Sequence, residues 1–234
     1  MDTIEAIILG IVQGLTEFLP VSSSGHLQIA KALMGVEIEQ NLLFDVTLHA
    51  ATVLSTIVVL WSEVARLLRG LFSRRFNEEQ AYVLKLLLSM IPIGIVGFTL
   101  KDRLDALLES PAILLVVGCM LLVTAALLAF AYYAKPRQKA QLSYRDAFLI
   151  GVAQAVAALP GLSRSGSTIA TGLLLGNRKQ TVAQFSFLMV LAPILGETFL
   201  ELMKGNLGAQ AIGSAPLAAG FVAAFVVGVW PASS

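Results

Sequence analysis

Two stretches decide the fold of this chain, QGLTEFLPVSSSGH at residues 13–26 and PGLSRSGST at residues 160–168. Each places proline, glycine and serine between apolar segments, and proline and glycine are the residues that interrupt helices. Non-helical backbone at membrane depth is tolerated only where it is buried in protein or lines a cavity. We therefore predict that the first serine loop, VSSSGH at 21–26, and the second serine loop, LSRSGS at 162–167, face each other inside the membrane.

The composition is that of a membrane protein. Of the 234 residues, 57% are hydrophobic and only 13% are charged, which lies outside the usual balance of a soluble domain. A spanning helix needs about 20 mostly apolar residues, and four segments approach that length, at 42–61, 82–100, 111–134 and 182–203. The sequence thus predicts an all-α polytopic membrane protein that forms one integral membrane domain over residues 1–234.

Four shorter apolar segments carry the polar residues that the long segments lack, at 4–19, 147–159, 169–175 and 217–230. We predict that they form broken or re-entrant helices, whose polar groups are satisfied within the protein. The last segment is too short for a comfortable span, so we expect the last helix to be truncated or altered.

The charges are informative by position. A net charge of +1 gives no large basic field, which argues against a nucleic-acid partner. The single cysteine, Cys119, excludes an intramolecular disulfide and a multi-cysteine metal site. Basic residues concentrate at 62–80 and 135–146, which predicts cytoplasmic loops, whereas the mixed loop at 101–110 fits the opposite side. The open side of the first serine loop is then expected to face the periplasm or exterior.

An internal repeat relates the two serine loops. The first copy covers about 4–62 and the second about 145–203, and the loop charges place their ends on opposite sides of the membrane. This arrangement predicts an inverted-topology repeat with two re-entrant helix–loop–helix units. An offset of 141 residues aligns seven identical pairs, namely Gly10 with Gly151, Gln13 with Gln154, Ser22 with Ser163, Ser24 with Ser165, Gly25 with Gly166, Gly35 with Gly176 and Phe44 with Phe185.

Both serine loops have the features of an anion site. A short apolar helix follows the serines in each copy, at 25–35 and 166–176, and the N–H groups and dipole at a helix N-terminus suit a phosphate. Arg164 adds a guanidinium fork that matches phosphate oxygens. The candidate phosphate-binding residues beside it are Ser22, Ser24, Gly25, Ser163, Ser165, Gly166 and Thr168.

The first copy also holds three reactive side chains. Glu17, Ser23 and His26 are residue types that act as base, nucleophile and acid in phosphoryl transfer. Gln13 lies one helical turn before Glu17, so the two share a face. The attacking group stays open at this stage among Ser23, His26 and water.

Structural roles compete with these functional ones. Serine and glycine are common at close helix contacts in membranes, and Glu17 with Arg164 could form a buried structural pair. An ionisable residue within a membrane is nonetheless a functional candidate by default. For Asp45 and His49, one turn apart at the start of a long apolar segment, structure and function are equally open.

The stretches at 13–26 and 160–168 resemble the two signature motifs of the bacterial undecaprenyl-diphosphate phosphatase family, the bacitracin-resistance type. The resemblance covers nearly the whole chain. It implies a multi-pass hydrolase of the bacterial cytoplasmic (inner) membrane that converts undecaprenyl diphosphate to undecaprenyl phosphate. It further implies that this reaction recycles the lipid carrier for peptidoglycan synthesis and confers bacitracin resistance.

The resemblance also assigns residues. Glu17 matches the second acidic position of an E/Q-x-x-x-E motif and Gln13 the first, while Ser23, His26 and Arg164 match the family's serine, histidine and arginine. The family is associated with a divalent cation, Mg²⁺ or Ca²⁺, for which Glu17 is the candidate ligand with Gln13 nearby. Since Gln13 leaves one carboxylate, we expect a cation bridged by the diphosphate rather than one held by the protein alone.

Other functions are compatible with parts of this pattern. Inverted repeats with broken helices at the midplane are a transporter design, so transport of the lipid phosphate is the alternative. A structural membrane subunit is the third hypothesis, and a homodimer is also left open.

Overall fold

The computed structural model describes residues 1–36, 42–108, 110–133, 139, 141–203 and 213–232. These residues are mostly helical, and their one isolated β-bridge joins Lys139 to Asn177, which confirms the predicted all-α class. The described helices are α1 Thr3–Phe18, α2 Ser23–Met34, α3 Leu42–Val59, α4 Trp61–Leu71, α5 Glu78–Thr99, α6 Lys101–Leu108, α7 Ile113–Tyr133, α8 Tyr144–Val156, α9 Arg164–Leu174, α10 Lys179–Met203 and α11 Ser214–Ala232.

Several of these helices are suited to cross a membrane. Among the described residues, α5 and α7 are long and apolar enough to do so, and α3 with α4 forms a third candidate that is bent by 79°. The segment predicted at 182–203 lies within α10, but the side chains of residues 197–203 are outside the described set. The predicted multi-pass membrane character is confirmed, while a truncated last helix stays a prediction.

Two predicted loops contain helices of their own. Residues 62–80 and 101–110 were expected to be connecting loops, yet α4 and α6 occupy much of them. In α4 the buried Leu67 packs with Val64 into a core cluster, while Arg66 and Arg69 are exposed. Apolar residues at helical spacing therefore fold this charged segment onto the protein.

The two halves of the chain share one pattern of helix contact, while the inverted repeat itself stays a prediction. α1 packs on α2 and α8 packs on α9, while α3 and α10 contact each other between the copies. One buried cluster surrounds Phe44 and a second surrounds Phe185, and both phenylalanines are fully buried. The pair predicted from the offset of 141 residues thus anchors one core in each half.

Two paired glycines sit where helices approach most closely. A Cβ at Gly10 would lie 2.5 Å from the carbonyl oxygen of Gly220 in α11, so α1 and α11 touch through their backbones. A Cβ at Gly151 would collide with the backbone of Ser89 in α5. Small residues at such positions let membrane helices pack tightly. Each copy is therefore pressed against a further apolar helix at its equivalent glycine.

We expect Gly10→Ala and Gly151→Ala to destabilise the protein by about 1–3 kcal/mol each, because an added methyl in a filled contact forces the helices apart. Thermal unfolding in detergent measures this. Gly94→Ala is the matched control, since no described atom lies within 4 Å of a Cβ there and alanine favours a helix by about 1 kcal/mol over glycine. Equal melting temperatures for all three variants would contradict the role of close packing.

Candidate active site

The second residue of each serine loop is a serine that caps the following helix. The Ser22 hydroxyl accepts a hydrogen bond from the N–H of Gly25 at 3.3 Å, and the Ser163 hydroxyl accepts one from the N–H of Gly166 at 3.0 Å. In each loop the hydroxyl two residues further on lies beside the cap. The distance between Ser22 Oγ and Ser24 Oγ is 3.4 Å. The two copies therefore start α2 and α9 in the same way, as the repeat predicts.

The backbone at Ser22 departs from the ordinary range. Its φ is 70° and its ψ is 91°, and it is the one non-glycine residue with positive φ among the described residues. A side chain in this region is strained, and such strain persists only where the surroundings fix it, often at functional sites. Ser163 caps its helix with an ordinary φ of −66°. The first loop thus carries a strain that the second lacks.

The two loops pack directly against each other. A Cβ at Gly25 would lie 3.2 Å from the Cα of Gly161, and one at Gly166 would lie 2.9 Å from the carbonyl oxygen of Pro20. Each helix start thus touches the proline-containing bend that precedes the other helix. A cavity of about 360 Å³ opens beside them and is lined by residues of both loops, so the prediction that the loops face each other is confirmed.

Glu17 gathers polar groups on the first-copy side of the cavity. The Ser23 hydroxyl donates to Glu17 Oε2 at 2.5 Å, and Gln13 Nε2 donates to the same oxygen at 2.9 Å. His49 Nε2 lies 4.0 Å from that oxygen. The carboxylate is therefore placed to take the proton of Ser23, which is the geometry of an activated nucleophile.

Arg164 and Ser23 occupy equivalent positions in the two serine loops. Ser23 is the first residue of α2 and Arg164 is the first residue of α9, each directly after its cap serine. Both line the cavity. Arg164 is within electrostatic range of Glu17, but within the described ranges no carboxylate oxygen lies within 4.0 Å of its guanidinium. Its hydrogen-bond donors are therefore not taken up by an ion pair there.

Most of the predicted site residues come together here. The cavity is lined by Glu17, Ser22, Ser23, Ser24, Ser163, Arg164, Ser165 and Thr168. Gln13, Gly25 and Gly166 lie just behind them without lining it. His26 is not among the lining residues, and its Nδ1 lies 2.8 Å from the carbonyl oxygen of Ser22. The catalytic role predicted for His26 stays a prediction.

Several lining residues were not assigned by sequence reasoning. His49, whose role was left open, has its Nε2 4.0 Å from Glu17 Oε2. Gln154 was found only as the repeat partner of Gln13, and its Nε2 is buried without a described hydrogen-bond partner. Gln28 Oε1 and the Ser186 hydroxyl are unpartnered in the same sense. Since buried polar groups are normally paired, these atoms suit a polar ligand that completes their bonding.

The cavity wall is polar on one side and apolar on the other. α3 contributes Asp45, His49 and Thr56, together with Val46. α10 contributes mainly apolar groups, and Ile93 and Leu108 add to them from α5 and α6. Such a cavity matches a ligand with a polar head and an apolar tail. The apolar residues from α10 are Phe187, Val190, Pro193 and Ile194.

Comparison with known proteins agrees with this site. The family model described as "Bacitracin resistance protein BacA" matches residues 6–232, which include both serine loops. The chain belongs to the BacA family. This membership confirms the resemblance noted in the sequence.

Named relatives of this BacA-family chain are undecaprenyl-diphosphatases. The protein of that name from Parabacteroides distasonis is 62% identical over 231 residues, which cover 97% of this chain and 86% of the relative. The one from Bacteroides fragilis is 60% identical over the same shares. A more distant relative of the same name from Methanosphaera stadtmanae is 35% identical over 249 residues, covering 97% of this chain and 86% of the relative.

Proposed function

We propose that this chain hydrolyses undecaprenyl diphosphate to undecaprenyl phosphate and inorganic phosphate. The observation that carries the proposal is the hydrogen bond from the Ser23 hydroxyl to Glu17 inside a cavity that also holds Arg164. The printed name of the relatives supports the same substrate. The apolar wall supports it too, because the substrate joins a charged head to a long hydrocarbon chain.

In the proposed mechanism Arg164 and the N-termini of α2 and α9 bind the diphosphate. Glu17 accepts the Ser23 proton while Ser23 Oγ attacks the terminal phosphorus, and the bond from that phosphorus to the bridging oxygen breaks. Undecaprenyl phosphate leaves, and water then releases phosphate from the serine. The guanidinium and the helix N–H groups stabilise the charge that builds on the transferred phosphoryl group. We do not assign a step to His26, because it is not among the residues that line the cavity.

A divalent cation fits the oxygen donors at Glu17. Gln13 Oε1 is buried without a hydrogen-bond partner among the described residues, and the same amide donates to Glu17. Mg²⁺ or Ca²⁺ takes carboxylate and amide oxygens as ligands, so Glu17 and Gln13 would hold it together with oxygens of the diphosphate. When bound, the cation would neutralise charge on the phosphoryl oxygens.

The architecture and location are part of the proposal. We infer one domain over residues 1–234 with an inverted repeat of about 4–62 and 145–203, and the equivalent caps at Ser22 and Ser163 support it. We place the chain in the bacterial cytoplasmic (inner) membrane, with the exposed Arg66 and Arg69 inside and the cavity open to the periplasm or exterior. Its proposed roles are carrier recycling for peptidoglycan synthesis and bacitracin resistance.

A phosphate-release assay on the purified full chain in detergent tests the proposal. We expect one phosphate to be released from each polyprenyl diphosphate, loss of activity with a chelator, and recovery with Mg²⁺ or Ca²⁺. Hydrolysis needs no sealed compartment, whereas transport does, so the assay separates the enzyme from the transporter alternative. Absence of phosphate release from a folded protein would contradict the proposed function, and full activity in chelator would contradict the cation.

A further inference from the structure

A buried lysine beside the cavity has no part in the mechanism above. Lys31 of α2 is 0% exposed, and its Nζ lies 2.6 Å and 2.7 Å from the two carboxylate oxygens of Asp45 in α3. A buried ammonium is stable only when it is paired. Asp45 is therefore its counter-ion, and the pair joins the helix of the first serine loop to the long helix behind it.

The two members of this pair face different surroundings. The Asp45 side chain is 22% exposed and lines the cavity, whereas Lys31 does not line it. A ligand in the cavity would therefore meet the carboxylate but not the ammonium. Lys31 therefore acts on the ligand through its charge and not through a direct contact.

The charges that line the cavity explain why the positive charge of Lys31 is important for an anionic ligand. Glu17 and Asp45 are the carboxylates among its described lining residues, and Arg164 is the cation there. Counted without Lys31 and without the proposed cation, the lining side chains have an excess of negative charge, although the proposed substrate is itself multiply anionic. Two like charges a few ångströms apart repel strongly in such a partly dry site. Lys31 supplies the missing positive charge from behind Asp45.

The second copy lacks this pair. At the offset of 141 residues, Lys31 corresponds to Gly172 and Asp45 corresponds to Ser186. Ser186 lines the cavity and carries no charge, so no cation is needed behind it. The carboxylate and its buried lysine thus occur together in the first copy and are both absent from the second.

We propose that Lys31 is a positioning residue for diphosphate binding, which compensates the charge of Asp45 and thereby allows the cavity to admit an anionic head group. The inference rests on the proposed function, because it concerns the substrate of that site.

The first test is Lys31→Gln in the phosphate-release assay. Glutamine can still donate a hydrogen bond to Asp45 but carries no charge, so the helix contact is retained while the compensation is lost. We expect KM to rise about tenfold, a change typical of one uncompensated charge near a binding site, with little change in kcat. The double variant Lys31→Gln with Asp45→Asn, which removes both charges, should return KM close to the wild-type value.

A second pair of variants does not depend on Lys31. Ser186→Asp places a carboxylate on the cavity wall with no lysine behind it, and Ser186→Asn is its neutral counterpart. We expect the KM of Ser186→Asp to exceed that of Ser186→Asn by about tenfold. This comparison applies even if the Lys31 variants do not fold.

The outcomes separate this inference from the proposed function. Wild-type protein that releases no phosphate contradicts the function itself. If wild type is active but Lys31→Gln melts earlier with an unchanged KM, the pair is structural and the inference is wrong. A tenfold rise of KM in Asp45→Asn alone would also overturn it, since Asp45 would then bind the substrate directly.

Discussion

Replacing Ser23 with alanine should lower kcat for phosphate release by about 1,000-fold or more, the scale seen when a nucleophile is removed. The Ser23 hydroxyl is bound to Glu17 at 2.5 Å and faces the cavity that holds Arg164. Without this oxygen the covalent step has no attacking group, whereas binding through Arg164 should persist. Steady-state kinetics in detergent measures the loss, and mass spectrometry after an acid quench should find phosphate on Ser23 of the active enzyme.

Two comparisons make this prediction specific. The single variant Glu17→Gln and the double variant Glu17→Gln with Ser23→Ala should each lower kcat about as much as Ser23→Ala alone. The effects of residues that act as one unit are not additive. Ser55→Ala is the matched control, since Ser55 is fully buried and donates to the carbonyl of Thr52 away from the cavity lining. Turnover of Ser23→Ala close to that of wild type would exclude the covalent serine and favour direct attack by water.

The second large effect is expected at Arg164. Arg164→Ala should lower kcat/KM by about 1,000-fold, at the lower end of what an arginine contributes to phosphoryl transfer. Its guanidinium lines the cavity from the first turn of α9 and has no carboxylate within 4.0 Å in the described part of the chain. The Arg164 guanidinium is therefore not held by an ion pair with Glu17. Its N–H donors can bind the diphosphate oxygens.

Arg164→Lys should recover only part of this loss, because lysine keeps the charge but lacks the two-pronged donor geometry. Arg69→Ala provides the control, since Arg69 is an exposed arginine of α4 that does not line the cavity. Activity should be measured at substrate concentrations well below KM, where kcat/KM is read directly. Near wild-type activity of Arg164→Ala under these conditions would remove the phosphate clamp from the mechanism.

Local composition made much of the site predictable. The order of residues predicted a short helix after the serines of each loop, and in the structure Ser22 and Ser163 cap these helices, which begin two residues earlier than predicted. Capping depends on residues three positions apart, so the sequence contains nearly all the information it needs. The apolar spans were predictable as well, because length and composition alone decide whether a helix can cross a membrane.

The histidines show where sequence reasoning stops. His26 and His49 are the two histidines of the chain, and each donates from Nδ1 to the carbonyl oxygen four residues before it. His26 stands in the motif itself, yet His49 is the one that lines the cavity beside Glu17. Which of them faces the cavity depends on how α2 and α3 are rotated against α1, and this rotation is set by packing across the whole bundle.

The amino-acid sequence was enough to predict an all-α membrane protein whose two serine loops belong together. Those conclusions follow from apolar length, helix-breaking residues and a repeated motif, all of which act over short distances along the chain. The hydrogen bond from Ser23 to Glu17 and the pairing of Lys31 with Asp45 became visible only in the folded protein. These contacts join different helices, so their geometry depends on interhelical packing rather than on local sequence.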